Sequence, residues 1–306
     1  MNIAITGSNG FIGNNLCTYL DKFEDINLIT INRTPLRNKS QKEYSFHELF
    51  NGEIKEEIDI FIHLASPNHD NERNKNLENG IYNLTKNILS VLDHYNCKKF
   101  IFFSSAKVYG ESSFKNISYN ENSQTKPKTD YAKIKLRTEK LIIEESNKIK
   151  FNYIIYRPSF VYGLGMASNL GKIFTVIDNS LPMIVMDKSL EMKKSFLSVS
   201  NINRVIKMNI YNKEKISNII FNLCDEQPIS LSQVIHLYKN KIHSKSILIK
   251  INKITFYVLK KIPIFNKLIK KIFGSFDVDN SKIKKFYADK LISTSDGLDE
   301  YLNKRI

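Results

Sequence analysis

An α/β fold built on a doubly wound parallel sheet is what this sequence predicts, and three observations predict it. Apolar runs of strand length recur at Met1 to Thr6, Asn27 to Ile31, Ile58 to Ser66, Lys99 to Ser104 and Phe151 to Tyr156, separated by stretches of helical periodicity. The first run leads directly into Gly7-Ser8-Asn9-Gly10-Phe11-Ile12-Gly13 and then a helical run from Asn14 to Lys22. A length of 306 residues with 42% hydrophobic composition is enough for one large domain with a smaller lobe.

The strand, glycine turn and helix at the start have the layout of a dinucleotide-binding βαβ unit. Gly7, Gly10 and Gly13 allow the tight turn, let the backbone approach a pyrophosphate and let the helix pack closely, while the helix N-terminus offers N–H donors and partial positive charge. The next strand ends at Asn32-Arg33. An acid there would bind the adenosine ribose hydroxyls and select NAD; Arg33, with Arg37 behind it, instead favours NADP. The third run carries His63, which reads as a satisfied core hydrogen bond. The fourth delivers Ser104-Ser105-Ala106-Lys107-Val108-Tyr109-Gly110-Glu111 to the sheet edge where ligands of such folds bind.

Thr129-Asp130-Tyr131-Ala132-Lys133-Ile134-Lys135 places a phenol and an ammonium four residues apart, on one face of a helix. Lys135 beneath Tyr131 would lower the phenol's pKa and let it exchange a proton near neutral pH. Ser105 could then donate to the same substrate oxygen, and two donors on one oxygen polarise the attached carbon for hydride transfer. After the strand at Phe151 to Tyr156, Arg157-Pro158-Ser159-Phe160-Val161-Tyr162-Gly163 leaves the sheet toward a region expected to close over substrate. A helix around Leu170 to Asn179 and a strand at Ile219 to Leu223 follow.

Together the glycine turn, Ser105, Tyr131/Lys135 and the Arg157-Pro158 to Tyr162-Gly163 exit resemble the extended short-chain dehydrogenase/reductases, the NAD-dependent epimerase/dehydratase family. Val278-Asp279-Asn280-Ser281-Lys282 and Asp296-Gly297-Leu298 are similar to that family's closing segments. The resemblance implies a Rossmann-like domain over residues 1–157 with a returning segment near 195–225. It also implies a smaller α+β substrate lobe from 158–194 and 226–306. It implies NADP or NAD as cofactor, held by Gly7, Asn9, Gly10, Phe11, Ile12, Gly13, Arg33, Leu64, Ala65, Tyr131, Lys135, Arg157 and Ser159. The catalytic set it implies is Ser105, Tyr131 and Lys135, with Ser66, Lys107, Asn169 and Lys194 on the substrate.

Within the family, the surroundings of Ser105, Asn169, Leu181-Pro182 and Lys194-Ser195 are similar to enzymes of O-antigen and capsule synthesis acting on UDP-N-acetylhexosamines. The function expected is hydride transfer at C4 of a UDP-hexosamine, by a 4-ketoreductase or, alternatively, a 4-epimerase acting on a UDP-sugar or a polyprenyl-diphosphate-linked one. Lys194 replaces the usual Arg and loses its bidentate fork. Ala106 and Lys107 stand where the dehydratase acid and base would be, which argues against that chemistry. Ile81 replaces an Asn of many relatives, so a helix-bending role is expected to be absent. Relatives commonly pair through the helices after Asn79 and Thr129, so a homodimer is expected. A non-catalytic nucleotide sensor is a further, weaker reading.

Cys17, Cys97 and Cys224 lie far apart, so neither a disulfide framework nor a metal site is expected, and a reducing cytoplasm is. Neither a signal peptide nor an apolar run of membrane-spanning length is evident. The formal charge of +15 is uneven: residues 227–276 hold no Asp or Glu, while ten lysines lie between Lys239 and Lys271. Two readings stand for the stretch 239–273, an amphipathic basic helix on an anionic membrane surface or a substrate-lobe helix with its apolar face on the core. Nucleic acid is not expected as a partner.

Overall fold

The computed structural model describes residues 1–34, 42–67, 76–211, 216–287 and 291–305, which divide into two compact units. The first comprises 1–110, 124–158 and 203–221. It opens with β1 (Asn2–Thr6), α1 (Phe11–Leu20), β2 (Asn27–Asn32), β3 (Lys42–Ser45) and α2 (Phe46–Phe50). β4 (Ile60–His63), a π-helical turn at Asn79–Asn83, α3 (Leu84–Val91) and β5 (Lys99–Phe103) continue it. The short β6 (Ser118–Tyr119) belongs to the second unit, and α4 (Asp130–Ile149) and β7 (Asn152–Pro158) return to the first.

Runs such as Ile3-Ala4-Ile5, Ile60-Phe61-Ile62 and Phe100-Ile101-Phe102 are apolar without alternation because both faces of the sheet are covered, and all are buried. The sheet has seven strands, ordered β11-β7-β5-β4-β1-β2-β3, where β11 is Ile219–Leu223; every pair from β7 to β3 is parallel. The order reverses at β1, which has β2 on one side and β4 on the other, and the glycine turn leaves the sheet from β1. β3 and α2 escaped the sequence reading. Their signal was Ser45-Phe46-His47-Glu48, a capping box in which the Ser45 hydroxyl accepts from Glu48 N and Glu48 reaches back.

The helix before Cys97 departs from expectation. It is distorted without an Asn at position 81, because the π turn surrounds a fully buried Ile81 and the Thr85 hydroxyl donates to the Ile81 carbonyl at 2.6 Å. Gly80 sits where a Cβ would come within 2.5 Å of Pro67 Cγ.

The second unit comprises 111–123, 159–202 and 222–306. It holds β8 (Phe160–Tyr162), α5 (Asn169–Asp178), β9 (Met183–Met186), β10 (Phe196–Ser198) and the start of α6 (Val199–Tyr211). After β11 come α7 (Leu231–Lys241), β12 (Leu248–Ile251), α8 (Lys253–Lys261), α9 (Pro263–Phe273), β13 (Asp277–Val278), α10 (Ser281–Phe286) and α11 (Thr294–Asn303). Residues 111–123 join this unit rather than the first because β6 pairs with β13 and Ser113 bridges Ser275.

At its centre the buried Asp225 carboxylate accepts from Ser198 N, Asn201 Nδ2, Tyr162 Oη and Thr294 Oγ1 at 2.7 to 2.9 Å. Burial still raises it to about 6. The closing segments serve this hub. Asn280 Nδ2 donates to the Asp225 carbonyl, and a Cβ on Gly297 would lie 2.1 Å from the Tyr162 hydroxyl. The basic stretch is not one helix: β12 lies between α7 and α8, and Pro263 forces Ile262 into an extended conformation between α8 and α9.

Candidate active site

The glycine turn is built for close approach. Gly7 has φ +73°, and a Cβ there would meet Ala65 N at 2.8 Å; one on Gly13 would lie 2.1 Å from Gly7 O. Gly10 is the N-cap of α1 and supplies no side-chain cap to the first-turn N–H groups, which include those of Phe11 and Ile12. With no acid in that turn, these donors and the helix dipole suit a phosphate oxygen. Asn9 is exposed and its amide reaches Thr34 O at 3.5 Å. At the end of β2, Asn32 is buried and donates to Ser8 Oγ, leaving Arg33 exposed; Arg37 lies outside the described residues. The residues present therefore fit a dinucleotide.

His63 is a core residue, as its sequence context implied. Thr85 gives its proton to Ile81 O and so accepts from His63 Nε2, at 3.0 Å, which leaves Nδ1 of the neutral ring to accept from Thr6 Oγ1, at 2.6 Å. Burial, with Lys135 nearby, pushes the imidazole down to about 3, and it stays neutral. Beyond it, Leu64, Ala65 and Ser66 form a half-buried rim.

Ser105 follows β5 and caps the turn Ala106–Tyr109, accepting from Lys107 N at 3.2 Å. That bond uses a lone pair of the hydroxyl, whose proton is left to donate. Thr129 caps α4 through Ala132 N, which sets Tyr131 in the first turn and Lys135 one turn on. Lys135 is buried; its Nζ donates to Phe103 O at 2.9 Å and stands 4.7 Å from the Phe102 ring centroid and 5.8 Å from that of Tyr131. This bond pins α4 to the end of the strand that carries Ser105.

The electrostatics reverse one expectation. Tyr131 is raised to about 12 rather than lowered, because burial outweighs a hydrogen bond with the Ser66 side chain that acts the other way. Lys135 is itself pushed down to about 7 by burial, against the pull of Glu139.

Two further residues extend the site backward. Glu139 continues the spacing of Tyr131 and Lys135 along α4, is buried, and accepts from Ser104 Oγ. It also takes a bidentate pair from Arg157, Nε at 3.1 Å and Nη2 at 2.6 Å, while Arg157 Nη1 donates to the Tyr109 hydroxyl at 2.8 Å. Arg157, expected on the cofactor, is thus a buried cation committed to Glu139. The period of four from Tyr131 was the signal for Glu139.

In the second unit Asn169 is exposed at the first position of α5, and the Ser159 hydroxyl is buried with no hydrogen bond among the described residues. Lys194, expected on the substrate diphosphate, is buried and caps α9. Its Nζ donates to Ile272 O at 2.7 Å and Lys271 O at 3.4 Å, and burial lowers it to about 8. Its apolar surroundings, with the Phe160 ring centroid at 4.9 Å, suit that role. Lys107 is half-buried in the turn after Ser105. Among the described residues no cluster of three His, Cys, Asp or Glu could hold a metal, and no helix is long and apolar enough to cross a membrane.

The chain is 26% identical over 297 residues to a UDP-glucose 4-epimerase of Vibrio cholerae, covering 90% of this chain and 83% of the relative. It is 22% identical over 257 residues to the N-acetyl-α-D-glucosaminyl-diphospho-ditrans,octacis-undecaprenol 4-epimerase of Escherichia coli O157:H7, covering 80% and 73%. Its fold matches the crystal structure of UDP-N-acetylglucosamine 4-epimerase from Bacillus cereus with a TM-score of 0.78 at 19% identity, over 100% of both chains. Residues 3–224 match the NAD dependent epimerase/dehydratase family, and with the glycine cradle and the Tyr131/Lys135 face in place the chain belongs to that family of NAD-dependent sugar-nucleotide enzymes.

Proposed function

We propose that the protein is a 4-epimerase that inverts C4 of a UDP-linked hexose or hexosamine, with Tyr131 exchanging the proton of the C4 oxygen. The observation that carries this reading is the Tyr131–Lys135 face, where burial drives two groups of similar ordinary pKa to about 12 and about 7. Titratable neighbours held that far apart mark acid–base work.

In this reading Phe11, Ile12 and the glycines hold the pyrophosphate of NAD, and the bound nicotinamide supplies the site that takes and returns a hydride. Ser105 donates to the C4 oxygen, Tyr131 in its ionised form takes the C4 hydroxyl proton as the carbonyl forms and returns it afterwards, and Lys135 serves the ribose. The names of the relatives favour epimerisation over the net reduction expected from Arg33, and the Ala106-Lys107 pair leaves no acid or base for water elimination.

A second reading, 4-ketoreduction with NADPH, rests on Arg33, exposed at the end of β2 with no acid beside it. The purified protein separates the two. An epimerase keeps bound NAD and converts UDP-N-acetylglucosamine to its C4 epimer with no net cofactor consumption. Steady NADPH oxidation on a UDP-4-keto sugar, with no inversion, would instead establish the reductase.

A further inference from the structure

Helices α8 and α9, with Ile262 between them, leave seven large apolar side chains exposed and bury three, Phe256, Ile269 and Phe273. On α8, Phe256 faces the core and Leu259 lies partly against it, while Ile254, Tyr257 and Val258 form a second stripe on the opposite face, 78%, 59% and 57% exposed. On α9, Ile269 and Phe273 face inward, and Ile264, Phe265 and Leu268 continue the same apolar arc into solvent, 74%, 42% and 50% exposed. Ile262 between the helices is exposed as well. A helix apolar on both faces is ordinarily buried on both.

Charge decides what covers this surface. The hairpin carries Lys253, Lys260, Lys261, Lys267, Lys270 and Lys271, and no acid occurs from 227 to 276. Lys260 folds back over the Phe114 ring at 4.8 Å. Lys261 extends the outer stripe of α8, and Lys267 and Lys271 line the outer edge of the apolar arc of α9. A second copy docked by a two-fold axis would set these lysines against each other. An anionic lipid surface fits both components, with apolar rows at the acyl boundary and flanking ammoniums at the headgroup phosphates.

We propose that the α8–α9 hairpin is a peripheral docking surface for an anionic bilayer, with Ile254, Tyr257, Val258, Ile264, Phe265 and Leu268 as the inserting side chains. It rests on exposed surface alone and not on the reaction catalysed. The test is sedimentation of the whole protein with phosphatidylglycerol-containing vesicles and with pure phosphatidylcholine vesicles, at physiological salt, with thermal unfolding confirming that each variant folds.

Binding is expected to the anionic vesicles and not to the zwitterionic ones. Replacing Lys261, Lys267 and Lys271 by Gln is expected to lower the partition coefficient roughly a hundredfold, at about fivefold per lysine. Ile254→Glu, Ile264→Glu and Leu268→Glu together are expected to abolish binding. Absence of binding to anionic vesicles overturns the proposal, as does binding that the three glutamates leave unchanged. Self-association without vesicle binding, dispersed by the same glutamates, overturns it in favour of a second copy.

Discussion

Replacing Lys135 by methionine is expected to flatten the dependence of stability on pH while abolishing activity. The native ammonium is buried and its pKa falls from 10.5 to about 7, so the folded chain binds fewer protons than the unfolded one between those values. Stability therefore rises with pH across that window and is lost as pH falls toward 7, where the cost of burying the charge levels off. At about pH 7.5 the mismatch is worth roughly 4 kcal/mol and at about pH 9 roughly 2 kcal/mol, so this one group adds about 2 kcal/mol over the interval. Lys194, lowered to about 8, adds a slope of the same sign, but it is common to both proteins and cancels in the comparison. The assay is urea unfolding of wild type and Lys135→Met at the two pH values. Equal pH slopes in the two proteins would refute the claim that Lys135 is held near neutrality by burial. Methionine fills the space of the stem but loses the bond to Phe103 O, so only the slope is diagnostic.

Glu139→Gln leaves the Arg157 guanidinium buried without its carboxylate and is expected to cost about 3 to 5 kcal/mol in chemical unfolding. It also removes the pull that keeps Lys135 from falling further. Gly13→Ala puts a methyl group against Gly7 O, and the shift needed is expected to weaken NAD binding at least tenfold by calorimetry while the fold persists. Ser66→Ala removes the hydrogen bond that lowers Tyr131, so the alkaline-rising limb of the kcat profile is expected to move to higher pH, with rate lost at neutral pH.

Much of the fold was legible because parallel strands buried on both faces write themselves as unbroken apolar runs. β11 matched its expected span, and the glycine turn lies between the expected strand and helix. β3 and α2 were missed because four polar-edged strand residues and one helical turn carry too little periodicity, although the Ser45/Glu48 capping box was readable. At the site, spacing placed Tyr131 and Lys135 on one helix face but could not reveal their pKa order. Lys135 is lowered by burial, with Phe102 and Phe103 beside its ammonium, and adjacency in sequence does not disclose that. The same limit explains Arg157 and Lys194. Their sequence neighbours do not disclose that Glu139 holds the one and the carbonyl end of α9 the other. The π turn at Ile81 was not legible either, because it goes with Thr85 binding the Ile81 carbonyl, a contact within the helix that apolar periodicity does not mark.

The most direct measurement follows the hydrogen on C4 during turnover of UDP-N-acetylglucosamine in deuterated water, with wild type and Tyr131→Phe. Hydride transfer within the site predicts an inverted product with protium retained at C4, and a fall in rate of roughly a hundredfold or more without the phenol. Deuterium at C4, or a Tyr131→Phe protein that inverts as fast as wild type, would contradict it.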